Sequence, residues 1–335
     1  MGHKTFKLGN LPLTDGGTLR DAQLAYQTYG TLSPVGDNVV VMPTFYTGSH
    51  ERNEGYFGPG RALDPARHFI VSINLFGGGK STSPSNSTQQ PGAIFPSVSF
   101  QDNIRAQHTL LTEELNVERI ALVLGWSMAG CQAYHWAVQY PEMVGAILPF
   151  CASARTSPHN FVFLEGVKAA LCTDPVWNNG DYDVQPTEGL RAFGRVYAGW
   201  AFSQAFYRNG LYQQLGYDNV ESLLGDWATD HAENWDANDL LCKLATWQRG
   251  DVSSGPTFNN DFAKALGSIH ARTILMPCNQ DLYFPPEDNE IEAALIPNAQ
   301  FRPVTSDFGH CAANPGNDAE FERQLDANIA ELLAQ

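Results

Sequence analysis

Three residues far apart along the chain, Ser127, Asp281 and His310, have the types and the order needed for nucleophilic acyl chemistry. Ser127 lies in Gly125-Trp126-Ser127-Met128-Ala129-Gly130, after the four apolar residues Ala121 to Leu124 and before a helical pattern that starts at Cys131. A strand that turns sharply into a helix at a serine holds the hydroxyl exposed at the strand's C-terminal end. The close crossing tolerates only small neighbours. Here the flanking places of Gly-x-Ser-x-Gly are taken by Gly125 and Ala129, with Gly130 one further on. The helix points its N-terminus at the same spot, so the free N–H of Met128 is a candidate donor to a developing oxyanion.

A serine nucleophile needs a base and an acid to orient that base. His310 ends the loop Ser306-Asp307-Phe308-Gly309-His310, and Asp281 stands just past the apolar run Ala271 to Pro277. Asp307 is a second candidate acid, but three residues before His310 on one loop is the spacing of a turn cap rather than of a pair that crosses a site. Cys311 is a rival nucleophile; a nucleophile rarely adjoins its own base in sequence. His50, His108, His135, His231 and His270 lack a strand-end setting, and solvated or satisfied roles are expected for them.

The elements that must position these groups alternate in kind. Phe6 to Gly30 alternates apolar and polar residues around Gly16-Gly17, the pattern of an antiparallel hairpin at a sheet edge. Asn38 to Pro43 is a continuous apolar run and predicts a buried strand; Thr44 to His50 follows it where a second oxyanion loop belongs, with the N–H of Tyr46 as its donor. His68 to Leu75 predicts another strand, Gln101 to Leu115 a helix, Ala146 to Cys151 and Phe301 to Val304 short strands, and Asp318 to Ala334 a closing helix. Gly77-Gly78-Gly79-Lys80-Ser81-Thr82 looks superficially like a phosphate loop, but Asn74 occupies the place of the required first glycine and no helix pattern follows. The alternation predicts an α/β fold with a mainly parallel sheet and helices on both faces. Ser153 to Phe262 has helical segments, no clear buried strand, and five of the seven tryptophans, Trp177, Trp200, Trp227, Trp235 and Trp247. It reads as an inserted helical cap (153–263) on a core made of 1–152 and 264–335, with most of those tryptophans forming the cap's own interior.

Composition narrows the partners. With 335 residues, 43% of them hydrophobic, the chain can bury a large core. A net charge of −16 argues against nucleic acid or an anionic membrane as a partner. No run is long enough to span a bilayer and the start lacks an apolar signal core, which together predict a cytoplasmic protein. The six scattered cysteines fit reduced thiols better than disulfides or a zinc site.

With these residues in place, the chain resembles the homoserine O-acetyltransferase family of the α/β-hydrolase superfamily over nearly its whole length. The matching stretches are Tyr46-Thr47-Gly48, Gly58-Pro59-Gly60, Phe69 to Gly79, Ser81-Thr82-x-Pro84, Arg105-Ala106-Gln107, Gly125-x-Ser127-Met128, Val220-Glu221-Ser222, Trp235-Asp236-Ala237-Asn238 and Gly309-His310. The resemblance implies a helical cap over a Ser127–His310–Asp281 site, no metal, no organic cofactor, an acyl-enzyme intermediate and a homodimer. The departures bear on substrate. Members that acetylate homoserine carry an aspartate after the histidine, which holds the substrate's ammonium group; here that residue is Cys311. The Arg of Arg-Phe-Asp-Ala-Asn is Asn234, and Trp126 puts a bulky ring beside the serine. A zwitterionic acceptor loses its partners, and an unpaired buried charge costs several kcal/mol. The expectation is therefore a serine carboxylic ester hydrolase for short, acetyl esters of small uncharged alcohols. A homoserine-type O-acetyltransferase using acetyl-CoA stands second, and a catalytically silent binding protein third.

Overall fold

The computed structural model describes residues 2–334, and its centre is one eight-stranded sheet in the order β1-β2-β4-β3-β5-β6-β7-β8. The strands are β1 (Lys4–Pro12), β2 (Thr18–Tyr29), β3 (Val39–Pro43), β4 (Phe69–Ile73), β5 (Leu122–Trp126), β6 (Ala146–Phe150), β7 (Arg272–Leu275) and β8 (Ala299–Phe301). The β1–β2 hairpin is antiparallel and forms the edge, β2 pairs antiparallel with β4, and every other pairing is parallel. All residues of β3, β4, β5 and β6 are buried, which is why they read as unbroken apolar runs rather than alternations.

The helices are α1 (His50–Asn53), α2 (Phe100–Thr109), α3 (Met128–Gln139), α4 (Pro158–Cys172), α5 (Thr187–Ala201), α6 (Gln204–Arg208), α7 (Val220–Asn234), α8 (Ala237–Gln248), α9 (Phe262–Gly267), α10 (Pro286–Leu295) and α11 (Ala319–Leu333). Side-chain alternation along the strands splits the interior in two. Val39, Val41 and Val123 pack with Ile104 of α2 and Tyr134 and Trp136 of α3. Val40, Met42 and Leu124 face the other way, with Phe321 and Leu325 of α11 and with Phe163, Phe193 and Leu244 of α4, α5 and α8.

Two details differ from the sequence expectation. The last strand is Ala299–Phe301 rather than Phe301 to Val304, because Pro303 has no N–H to continue the ladder; Val304 rejoins only through an isolated bridge to Cys278. Between β6 and β7 the chain runs through α4 to α9, as the pattern of that stretch predicts. Of its five tryptophans, however, only Trp247 is fully buried, the others being partly buried against the interior.

Candidate active site

Ser127 occupies the turn between β5 and α3 with φ 59° and ψ −130°, a conformation that a non-glycine residue holds only when its surroundings enforce it. Its N–H donates to the Phe150 carbonyl (3.1 Å) and its carbonyl accepts from the Cys131 N–H (3.0 Å). The need for small neighbours is visible as distances. A Cβ on Gly125 would lie 2.4 Å from the Ala129 Cβ, and one on Gly130 would lie 2.5 Å from the Ala152 Cβ. Ala129 is thus accommodated by the bare Gly125, and Gly130 lets α3 rest on β6.

His310 and Asp281 come together because β7 and β8 are neighbours, so the loops leaving their C-terminal ends lie side by side. The His310 Nδ1 is 2.7 Å from Asp281 Oδ2. The other oxygen, Oδ1, accepts the N–H groups of Tyr283 (2.7 Å) and Phe284 (3.1 Å), which fixes the carboxylate in the turn. A proton on Nδ1, donated to the carboxylate, leaves the Nε2 lone pair for base work. The imidazole is packed by the rings of Tyr283 and Trp126, with centroids 4.6 and 5.1 Å away. Gly309, at φ 62°, has no room for a side chain, since a Cβ would lie 2.8 Å from the Ser203 N. Asp307 is engaged elsewhere: its Oδ1 accepts from Gln280 (2.7 Å) and its Oδ2 from Asn209 (3.1 Å).

Ser127 and His310 line one cavity of about 360 Å³ together with Phe45, Tyr46, Trp126, Tyr197, Phe202, Tyr283 and Cys311. Among the described residues no hydrogen bond within 3.5 Å joins the Ser127 hydroxyl to His310; such contacts tighten when substrate binds. Tyr46 and Met128 also fall at this place. Among the described residues neither backbone N–H donates to another backbone group, while a single side chain, Gln132, ties their two segments together. Its amide donates to the carbonyls of Thr44 (3.0 Å) and Met128 (3.1 Å), and its oxygen accepts from Gln107 (2.7 Å), itself held by the Trp136 indole N–H (2.9 Å).

Other groups border the site, and Lys243 among them lies outside the sequence reading. Lys243 of α8 is buried, and its ammonium donates to the Tyr46 carbonyl. Its local signal is position: with Leu240, Leu244 and Trp247 it falls on the buried stripe of α8, where a lysine is out of place. His231 is more than a satisfied core residue, for it lines the cavity with Nδ1 at 2.8 Å from the Trp227 carbonyl and Nε2 without a partner among the described residues. Burial pushes the Cys311 thiol well above its ordinary range, so it remains protonated and a poor nucleophile. The Cys151 sulfur lies within 4.8 Å of the Asp281 carboxylate and His310, a grouping a metal could use in principle. Burial, and then the Asp281 charge, hold that thiol protonated, and both carboxylate oxygens are already hydrogen-bonded. The trio fits an orienting pair with a packed thiol better than a ligand set. The Gly77 to Thr82 loop packs against α8, where a Cβ on Gly77 would lie 2.7 Å from the Cys242 Sγ. Close packing, not phosphate, explains that glycine.

The chain is similar to known proteins along most of its length. The profile of the alpha/beta hydrolase fold family matches residues 37–313. An ethyl acetate hydrolase from Pseudomonas veronii is 38% identical, over 99% of this chain and 96% of its own length. A homoserine O-acetyltransferase from Nostoc punctiforme is 32% identical, over 90% and 88%. Among solved structures, the acetyl esterase MekB superposes with a TM-score of 0.96 at 37% identity, covering 100% of this chain and 97% of that one.

Proposed function

The chain belongs to the alpha/beta hydrolase fold family, and on that premise we propose that it is a serine carboxylic ester hydrolase that cleaves acetyl esters of small uncharged alcohols through an acyl-enzyme. The observation that carries the reading is the 2.7 Å His310–Asp281 contact in the same cavity as the strained Ser127 turn. In the mechanism, His310 Nε2 takes the Ser127 hydroxyl proton as the oxygen attacks the ester carbonyl, and the N–H groups of Tyr46 and Met128 receive the negative charge that forms on the carbonyl oxygen. Collapse breaks the bond to the alcohol oxygen, which leaves with the proton from His310. A water molecule, deprotonated by His310, then attacks the acetyl-serine; its second collapse releases acetate, and the proton returns to Ser127. Asp281 keeps the imidazole oriented throughout.

The substrate class follows from the walls. Phe45, Trp126 and Phe202 give the cavity an apolar side, Trp126 narrows it beside the serine, and Cys311 puts no charge next to His310; the charged residues of the lining are Arg52, Asp226 and Asp230. Likeness over nearly the full length to an ethyl acetate hydrolase supports the same choice. Within this proposal the 153–263 helices act as a cap over the site. The proposal includes no cofactor or metal, a cytoplasmic location and a homodimer. No helix among the described residues is long and apolar enough to cross a membrane. Initial rates on ethyl acetate and on longer acyl esters test the proposal, with homoserine plus acetyl-CoA as the competing reaction and Ser127→Ala as control. Acetate esters should react fastest. Appreciable homoserine acetylation with little hydrolysis would overturn the choice in favour of the transferase, and failure of folded protein to label at Ser127 with a fluorophosphonate would favour a silent binding protein.

A further inference from the structure

Lys243 is a buried cation whose ammonium is satisfied by a backbone carbonyl rather than by an acid. It is 1% exposed, and among the described residues no carboxylate lies within 4.0 Å of its nitrogen. The nearest acid along its own helix, Asp239, is taken up by the Ser85 N–H (2.9 Å) and hydroxyl (2.6 Å). The lysine instead donates to the Tyr46 carbonyl, with its nitrogen 5.3 Å from the Tyr46 ring centroid and 4.4 Å from that of Trp235. The Tyr46 hydroxyl, in turn, donates to the Leu240 carbonyl (2.9 Å), so both ends of Tyr46 are fastened to α8. Gln132 of α3 holds the same loop as well, through Thr44.

A buried lysine is costly to keep, and an apolar residue of similar size would pack the same stripe more cheaply. The contact it makes is the clue to its use. We propose that Lys243 is a positioning residue for ester hydrolysis: by fixing the Tyr46 carbonyl it sets the loop that carries the Tyr46 N–H, and it thereby ties the placement of α8 to the competence of the oxyanion site. The inference rests on the esterase reading above. It assigns Lys243 no contact with substrate. A loop left free to rotate still admits substrate but meets the tetrahedral intermediate poorly, so the effect falls on the chemical step.

The test is steady-state hydrolysis of p-nitrophenyl acetate by the full chain, by Lys243→Met and by Lys243→Gln, with melting temperature and far-UV circular dichroism recorded for each. Lys243→Met should lower kcat by roughly 10- to 100-fold, less than the loss of an oxyanion donor itself, while KM stays within about threefold. Glutamine keeps a neutral donor one bond short of the lysine nitrogen and should fall between, about 3- to 10-fold below the parent. Affinity for a trifluoromethyl ketone, whose adduct with Ser127 carries the oxyanion, should fall in step with kcat/KM. Unchanged kcat in folded Lys243→Met, or a change confined to KM, overturns the proposal. If the methionine variant does not fold, equal kcat for the parent and Lys243→Gln overturns it. An unmodified chain that does not hydrolyse the ester, or hydrolyses it equally well as Ser127→Ala, defeats the esterase reading instead, and the two failures remain distinct.

Discussion

Burial of Lys243 should leave a signature in the pH dependence of stability that is independent of catalysis. Burial lowers its pKa from the ordinary 10.5 to about 8, and the charge of Asp239 offsets only part of that. Below pH 8 the amine is charged in both the folded and unfolded chain, and the folded state carries the full penalty. Between about 8 and 10.5 the unfolded chain binds more protons than the folded one, so folding stability rises with pH; above 10.5 both forms are neutral and the curve levels. A gap from 10.5 to about 8 corresponds to about 3 kcal/mol. The side chain is almost wholly buried, so solvent screening removes little of it. The perturbation is Lys243→Met, measured by equilibrium urea unfolding between pH 7 and 10.5. The stability of the parent minus that of the variant should climb by about 3 kcal/mol over that range; any constant offset from lost contacts cancels. The neighbouring groups leave the window clear. Asp239, raised by burial to about 6, is already ionised there; Cys242, raised to about 12, and Tyr46, raised well above 10, keep their protons; His231, lowered by burial, is neutral. A difference that is flat across the range, or that falls, refutes the assignment of a charged, uncompensated Lys243 at neutral pH.

Three further outcomes follow from the geometry of the site. Asp281→Asn should keep the fold but lower kcat on an acetate ester by about 10⁴-fold, because the amide supports the wrong imidazole tautomer; stopped assays at high enzyme concentration measure it. Gly130→Ala places a methyl group 2.5 Å from the Ala152 Cβ and should lower unfolding free energy by about 3 kcal/mol, read from the urea midpoint, or leave no soluble protein. Trp126→Ala should raise the butyrate-to-acetate ratio of kcat/KM by about tenfold, since the ring lines the cavity next to Ser127; an unchanged ratio shows that another wall limits acyl length.

The fold was legible where chemistry is local. Buried parallel strands need apolar residues on both faces, so β3 to β6 could be read directly, and small residues around Ser127 announced a crossing whose closeness is now visible at Gly125 and Gly130. The partner of His310 was harder. Asp281 and Asp307 both stand near strand ends, and the order of strands in the sheet decides between them: adjacency of β7 and β8 carries the Asp281 turn to His310, while Gln280 and Asn209 hold Asp307 away. Sheet order is a non-local property, and the apolar pattern of each strand says nothing about its neighbours. The same limit explains the misplaced end of β8, where the apolar residues continued past a proline that the ladder could not.

Gln132 and Lys243 were illegible for a related reason, since their partners lie 88 and 197 residues away in the chain. Each nevertheless left a local trace: Lys243 lies on the buried stripe of α8, and Gln132 is a polar residue in the buried helix α3. Such a trace does not by itself mark function. His231 also sits on a buried face, but the contact of its Nδ1 with the Trp227 carbonyl, one turn back on α7, is of a kind any helix can supply. The discriminating property is where the hydrogen bond goes. Lys243 reaches out of its helix to the Tyr46 carbonyl, and Gln132, besides its bond to the Met128 carbonyl one turn back, reaches the Thr44 carbonyl of the same loop. A helix gains nothing from that arrangement that an apolar residue would not provide more cheaply, whereas a loop that must hold an N–H still against a forming charge gains its rigidity from it. If Tyr46 donates to the oxyanion as proposed, buried polar residues that bond across elements to the backbone of its loop are the ones to expect where amides must be fixed before the substrate arrives.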